Sequence, residues 1–264
     1  MLKTRVLTAL ALLAIFLCLL FVLPRWPALA AFALVAALAA WEWAGLIGAG
    51  SAARIGFAAA VVVSALALSL ESEATFPALW AAAAVFWLTI APFWLWRRWP
   101  LAGHALVAYA VGWLVIVPTW AAMIGLRDRS PWLLFAAMAL VWVADIGAYF
   151  TGRTIGRTKL IPAVSPGKTW EGVGGAIVAT LVYGLLAALV AGLPVLGHLT
   201  WGWFLLLLTA LSIVGDLFES LIKRQAGAKD SSGLLPGHGG ILDRIDSQTS
   251  TLPLVALAAH LGRW

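Results

Sequence analysis

Three carboxylates stand where a carboxylate is costly. Asp145 lies inside an apolar run, about a turn and a half from its polar end, and Asp216 and Glu219 close another run, three residues apart on one helix face. A charged side chain at membrane depth costs about 2.5–3.5 kcal/mol on insertion scales, so it is normally paired, turned toward a cavity, or engaged in chemistry. For Asp145 alone, a salt bridge to a loop Arg or Lys is as good an account as a site. Three such acids converging on one membrane face favour a metal or ion site. Glu42, in Trp41-Glu42-Trp43, has no such company and reads as a buried pair or packing contact without an assigned role.

Two polar segments adjoin these acids. The first, Ser165-Pro-Gly-Lys-Thr-Trp-Glu-Gly172, leads directly into an apolar run. Ser165 or Thr169 can cap the helix that follows, and its free N–H groups, its dipole and Lys168 together suit an anion. An ordinary capped helix start explains the same residues. The segment superficially resembles a P-loop, but the spacing of that motif is absent and no strand is expected before it. Behind it, Gly172, Ala176, Thr180 and Gly184 recur every four residues, a stripe suited to helix packing. The second segment, 220–249, carries Ser220 to Arg224, Lys229-Asp230, Pro236 to Gly240 and Asp243-Arg244-Ile245-Asp246. Hard oxygen donors without thiolates or a histidine cluster suit Mg²⁺ rather than zinc. Basic side chains beside glycines, where backbone can approach closely, suit a polyphosphate. His238 is the one histidine in a polar context, as a hydrogen-bonded loop residue or as a substrate contact.

The elements that must hold these residues are membrane helices. Of 264 residues, 63% are apolar and 11% charged, and the mean hydropathy is +1.00. A soluble domain is roughly 25% charged, so lipid must solvate much of this chain. Spans are expected at 6–23, 28–47, 55–70, 77–96, 104–124, 131–150, 172–192, 198–219 and 250–264. A signal peptide is the alternative reading of residues 1–30, but the first apolar run is long for one and a retained helix is expected. Counting Lys and Arg on alternate sides of nine spans gives 13 against 4, all 17 accounted for. That asymmetry places the N-terminus and the loops 151–171 and 220–249, with the candidate site residues they carry, in the cytoplasm. Seven of the eleven acidic residues fall between 145 and 246. The chain therefore divides into scaffold helices over 1–130 and a catalytic region over 131–264. Trp26, Trp94, Trp96, Trp99, Trp120, Trp132 and Trp201, near the ends of apolar runs, read as interfacial belts. The single cysteine, Cys18, excludes an internal disulfide and a thiolate cluster. The net charge of +6 has no water-facing domain to carry it, which excludes nucleic acid as a partner.

The run from Ser220 to Asp246, 27 contiguous residues, resembles without a gap the signature of CDP-diacylglycerol synthases: Ser-x-apolar-Lys-Arg, Lys-Asp, Pro-x-His-Gly-Gly and Asp-Arg-apolar-Asp. Ala144 to Phe150, Gly152-Arg153, Gly156-Arg157 and Ser165 to Gly172 look similar too, whereas the N-terminal helices are alike only in character. At Gly167 the family usually carries a second lysine. The resemblance implies an all-α, polytopic membrane enzyme that is a homodimer. Its reaction would be CTP plus phosphatidic acid giving CDP-diacylglycerol and pyrophosphate, with Mg²⁺. Two divalent ions, or one divalent and one monovalent, remain open. It implies Asp216, Asp243 and Asp246 as metal ligands, with Lys223 and Lys229 beside them in the catalytic set. Asp145, Ser165, Lys168, Thr169, Glu171, Arg224, His238 and Arg244 would position phosphates, metal or one another.

Two other readings stay in view. A CTP-dependent polyprenol or dolichol kinase would transfer the γ-phosphate to a lipid alcohol, and the full Ser220–Asp246 signature speaks against it. A cation-coupled transporter would explain intramembrane acids, but transporters tend to have two related halves, and here the polarity is one-sided. The motif Asp-Gly-x-x-Ala-Arg of CDP-alcohol phosphotransferases is absent.

Overall fold

The computed structural model describes residues 2–70, 75–101, 103–191 and 199–262. Ten helices and one short hairpin follow in order: α1 Leu2–Phe21, α2 Arg25–Leu46, α3 Ser51–Leu70, α4 Phe76–Val85, α5 Ala91–Arg97, α6 Ala105–Arg129, α7 Pro131–Ile155, β1 Lys159–Ile161, β2 Ser165–Thr169, α8 Trp170–Val190, α9 Leu199–Gln225 and α10 Leu242–His260. A π-helical turn, Phe86–Ile90, joins α4 to α5, so that the two form one segment, Phe76–Arg97. Pro92, in the first turn of α5 and lacking an N–H, accounts for the irregular ladder there.

Among the described residues, seven segments are long and apolar enough to cross a membrane: α2, α3, α4–α5, α6, α7, α8 and α9. This is a multi-pass membrane protein. The expected count of nine is not reached by that measure. The helix expected at 250–264 begins at Leu242, and its first turns carry Asp243, Arg244 and Asp246. The expected loop 220–249 is likewise shorter than the sequence suggested. α9 continues to Gln225, because Leu217, Phe218, Leu221 and Ile222 keep a helical spacing and are all buried. The loop 151–171 also contracts, since α7 runs to Ile155 and Lys159–Thr169 forms the β1–β2 hairpin, with Lys159 opposite Thr169 and Ile161 opposite Ser165.

Between membrane helices, close backbone approach supplies much of the packing. At the α7–α8 crossing a Cβ on Gly147 would lie 2.8 Å from the Gly175 carbonyl oxygen, and one on Gly172 would lie 3.0 Å from that of Ala148. Further along α8, Thr180 meets Thr209 of α9 at 2.8 Å and Gly184 sits against Leu205, so the expected packing stripe is observed. Where α9 meets α10, a Cβ on Gly215 would stand 2.5 Å from Ser250 Oγ and 2.8 Å from the Asp246 carbonyl oxygen. That approach brings Asp216 up to Asp246. Phe218, one turn on, is enclosed edge-on by Phe86, Trp87 and Trp94 at 5.5, 5.5 and 5.8 Å, which fixes the rotation of α9. Trp94 and Trp120 are thus corrections to the belt reading: both are buried. Trp94 donates to the Trp99 carbonyl oxygen at 2.7 Å, and Trp120 lies on α6, the most enclosed of the seven spans. Trp26, Trp96, Trp99 and Trp132 are exposed, as a belt requires.

Candidate active site

The Ser165–Thr169 segment is a strand, not a loop, and its last residue starts α8. Thr169 is extended, at φ −132° and ψ 156°, and its side chain accepts from the Gly172 N–H, so Thr169 and not Ser165 caps the helix. Glu171 turns back to accept from the Thr158 N–H at 3.1 and 3.2 Å, which ties the hairpin to the first turn of α8. Gly152 and Gly156 admit this corner, since a Cβ on either would stand 3.0 or 2.8 Å from Thr169 Oγ1. Lys168 emerges from β2 to meet Asp216 of α9 at 2.6 Å.

That pair forms part of the wall of a cavity of about 590 Å³ between α7, the hairpin, α8 and α9. Asp145, Arg153, Ser165 and Gly167 share the wall, and Ala144, Val173 and Ala176 make its apolar side. Asp145, Asp216 and Asp246 are near enough to repel one another, while Lys168 and Arg244 offset the charge on Asp145. Five of the residues expected from sequence, Asp145, Ser165, Lys168, Thr169 and Asp216, therefore line one space.

A second cluster lies between α9 and α10. Lys223 reaches Asp243 Oδ1 at 2.6 Å and Glu219 Oε2 at 3.3 Å. Asp243 Oδ2 accepts from the Ser231 N–H at 2.9 Å, Ser231 Oγ at 2.9 Å and the Gly240 N–H at 2.7 Å. Burial alone would raise the Asp243 carboxyl, but the Lys223 ammonium and the Gly240 and Ser231 amides outweigh it and hold its pKa below the usual carboxylate value. Gly239, at φ +79°, is glycine for two reasons: the backbone is left-handed, and a Cβ would lie 2.5 Å from Asp243 Oδ2.

The remaining expected residues are spread more widely. Arg224 donates to the backbone carbonyls of Ala228 at 3.1 Å and Val164 at 3.4 Å, linking the end of α9 to the hairpin. Lys229 is exposed and joins neither cluster by a hydrogen bond or ion pair among the described residues. His238 and Arg244 lie in the lining of a separate groove of about 430 Å³, otherwise apolar, with Phe16, Phe32, Met138 and Trp142 among its walls. Sequence reasoning singled out Glu42 but gave it no role, and passed over Ser231 and Ser232. Glu42, fully buried on α2, accepts from both serine hydroxyls and from the Ile241 and Leu242 N–H groups. The available signal was a lone acid within an otherwise uncharged stretch of α2.

Among the described residues, no three carboxylate, histidine or thiol groups converge as a ready-made metal cage. Mg²⁺ does not need one, because it is commonly held by one or two carboxylates together with substrate phosphates and water. The donors here suit that mode. Asp145 and Asp216 face the cavity with hard oxygens, whereas Glu219 is buried against Lys223 at 3.3 Å. Asp243 is already engaged by Lys223, Ser231 and Gly240 and would reach an ion only by exchanging Lys223 for it.

Membrane helices that enclose two lysine–carboxylate clusters, one of them in the wall of a cavity, describe a membrane-embedded enzyme for anionic substrates. The chain belongs to the cytidylyltransferase family, whose pattern it matches over residues 3–261. A phosphatidate cytidylyltransferase of Pseudomonas aeruginosa is 42% identical over 282 aligned positions, spanning 100% of this chain and 99% of the relative. One from Haemophilus influenzae is 48% identical over 124 positions, 46% of this chain and 43% of the relative. One from Bacillus subtilis is 45% identical over 125 positions, 46% of this chain and 45% of the relative.

Proposed function

We propose that the chain is a phosphatidate cytidylyltransferase that converts CTP and phosphatidic acid to CDP-diacylglycerol and pyrophosphate. The observation that carries this reading is the cavity wall that joins Lys168, Ser165, Asp145 and Asp216, in a chain alignable end to end with such an enzyme. A phosphate monoester has a second pKa near 6 and is largely ionised at neutral pH, so it needs no dedicated base. One of its oxygens attacks the α-phosphorus of CTP, a new P–O bond forms, and the bond to the β-phosphate bridging oxygen breaks. The electron pair leaves with pyrophosphate. The task left to the protein is to align two anions and offset their charge.

Lys168 and the capped start of α8 would take the nucleotide phosphates. Arg244 and His238, at the otherwise apolar groove, would take the lipid phosphate with an acyl chain along Phe16, Phe32 and Trp142. Arg244 is near enough to Asp145 to offset its charge, so in this reading the two substrates would approach each other beside the intramembrane carboxylates. Asp216, with Asp145 and Asp246 beside it, would hold Mg²⁺, which when bound neutralises polyphosphate charge and polarises the attacked phosphorus. The distribution of Lys and Arg supports an active site facing the cytoplasm from the inner membrane. The family likeness supports a homodimer.

The test supplies purified protein with phosphatidic acid, Mg²⁺ and CTP labelled at the α-phosphate. Label in lipid with equimolar pyrophosphate is expected. Lipid labelled only from γ-labelled CTP, with release of CDP, would make the chain a lipid kinase instead.

A further inference from the structure

We infer that Glu42, on a helix outside the catalytic half, is a positioning residue of the nucleotidyl-transfer site, acting on Asp243 through Ser231; this rests on the function proposed above. Glu42 is fully buried, and its four donors are all uncharged. Oε1 accepts from Ser232 Oγ at 2.6 Å and the Ile241 N–H at 3.0 Å, and Oε2 from Ser231 Oγ at 3.0 Å and the Leu242 N–H at 2.7 Å. The first amides of a helix have no partner within it, and Ile241 offers α10 no side-chain cap. Glu42 supplies that cap from another helix, at the positive end of the α10 dipole. It thereby fixes the turn that presents Asp243, Arg244 and Asp246.

Ser231 makes the connection. Its Oγ lies 3.0 Å from Glu42 Oε2 and 2.9 Å from Asp243 Oδ2, yet a hydroxyl has one proton to donate. The two carboxylates share that donor, so a change at Glu42 alters what Asp243 receives. Gly240 seals the arrangement, because a Cβ there would stand 2.1 Å from Ser231 Oγ and 2.4 Å from Glu42 Oε1. Ser232 touches Glu42 but makes no bond to Asp243.

The experiment measures kcat and KM of the purified full-length protein in detergent with Mg²⁺, CTP and phosphatidic acid, alongside its thermal midpoint. Glu42→Gln is expected to lower kcat about tenfold, with the midpoint and the KM for CTP little changed. Combined with Ser231→Ala, it should lose no more than about twofold beyond the larger single effect, because both act on one contact. Multiplying losses, an unchanged kcat in Glu42→Gln, or a kcat loss matched by loss of folded protein would overturn the inference. If Glu42→Gln does not fold, Ser231→Ala must reduce kcat more than Ser232→Ala, and equal or reversed effects would overturn it. Unaltered protein that makes no labelled lipid would defeat the function proposed above, whereas active unaltered protein with indifferent variants defeats only the role of Glu42.

Discussion

Lys168–Asp216 and Lys223–Asp243 are both ion pairs of 2.6 Å, but their surroundings differ. The side chains of the first are 25% and 27% exposed and line the large cavity. Those of the second are 10% and 6% exposed and are held further by Ser231, Gly240 and Glu219. An exposed pair exchanges partners cheaply, with a net worth of about 0–1 kcal/mol. A buried pair that loses one member leaves an uncompensated charge. Equal distance thus conceals unequal duty. Under the proposed function the first pair would release its lysine to a phosphate and its carboxylate to a cation, while the second holds α9, α10 and their loop in register.

If that division is right, Asp216→Asn has the largest effect on turnover. We expect kcat to fall about 10²–10³-fold, the weight of one preorganised electrostatic group, with an unchanged thermal midpoint; turnover across a Mg²⁺ titration checks it. Gly240→Ala tests the locked side. The methyl has no room beside Ser231 and Glu42, and overpacking of this kind costs about 1–3 kcal/mol, read as a lower thermal midpoint. On the open side, Lys168→Met should raise the KM for CTP about tenfold, as expected for one charge-assisted contact of roughly 1.5 kcal/mol, leaving the lipid KM unchanged. The smallest effect belongs to Gly167→Lys. A Cβ there meets nothing within 4 Å, so the added cation should fit and lower the KM for CTP by about two- to threefold, within the range of an exposed pair.

The open side was the more legible of the two in the sequence. Asp145 and Asp216 declare themselves by being charged where charge is costly, Lys168 by standing just before an apolar run, and the structure sets all three in one wall. The hairpin was not legible, because Ser-Pro-Gly-Lys-Thr lacks the apolar alternation of a strand. Its pairing comes from Lys159–Ile161, which lies on the far side of a turn. The helical state of Asp243 and Asp246 was masked in the same way. Glycines and charges in 220–249 read as loop, while the helix signal in Leu242, Ile245 and Thr249 depends on a cap supplied by Glu42, about 200 residues earlier. Spacing along the chain does not show a donor–acceptor match between distant helices. For the same reason Trp94 and Trp120 resembled belt residues. Their position near the ends of apolar runs is visible in sequence, but the neighbours that bury them are not.

The division between an open and a locked pair is tested most directly by the thermal midpoints of Lys168→Met and Lys223→Met, measured side by side in one detergent. Removing Lys223 leaves Glu219 and Asp243 buried without their cation, and should cost about 3–5 kcal/mol. Removing Lys168 should cost less than about 1 kcal/mol. Equal losses, or a larger loss for Lys168→Met, would contradict the account.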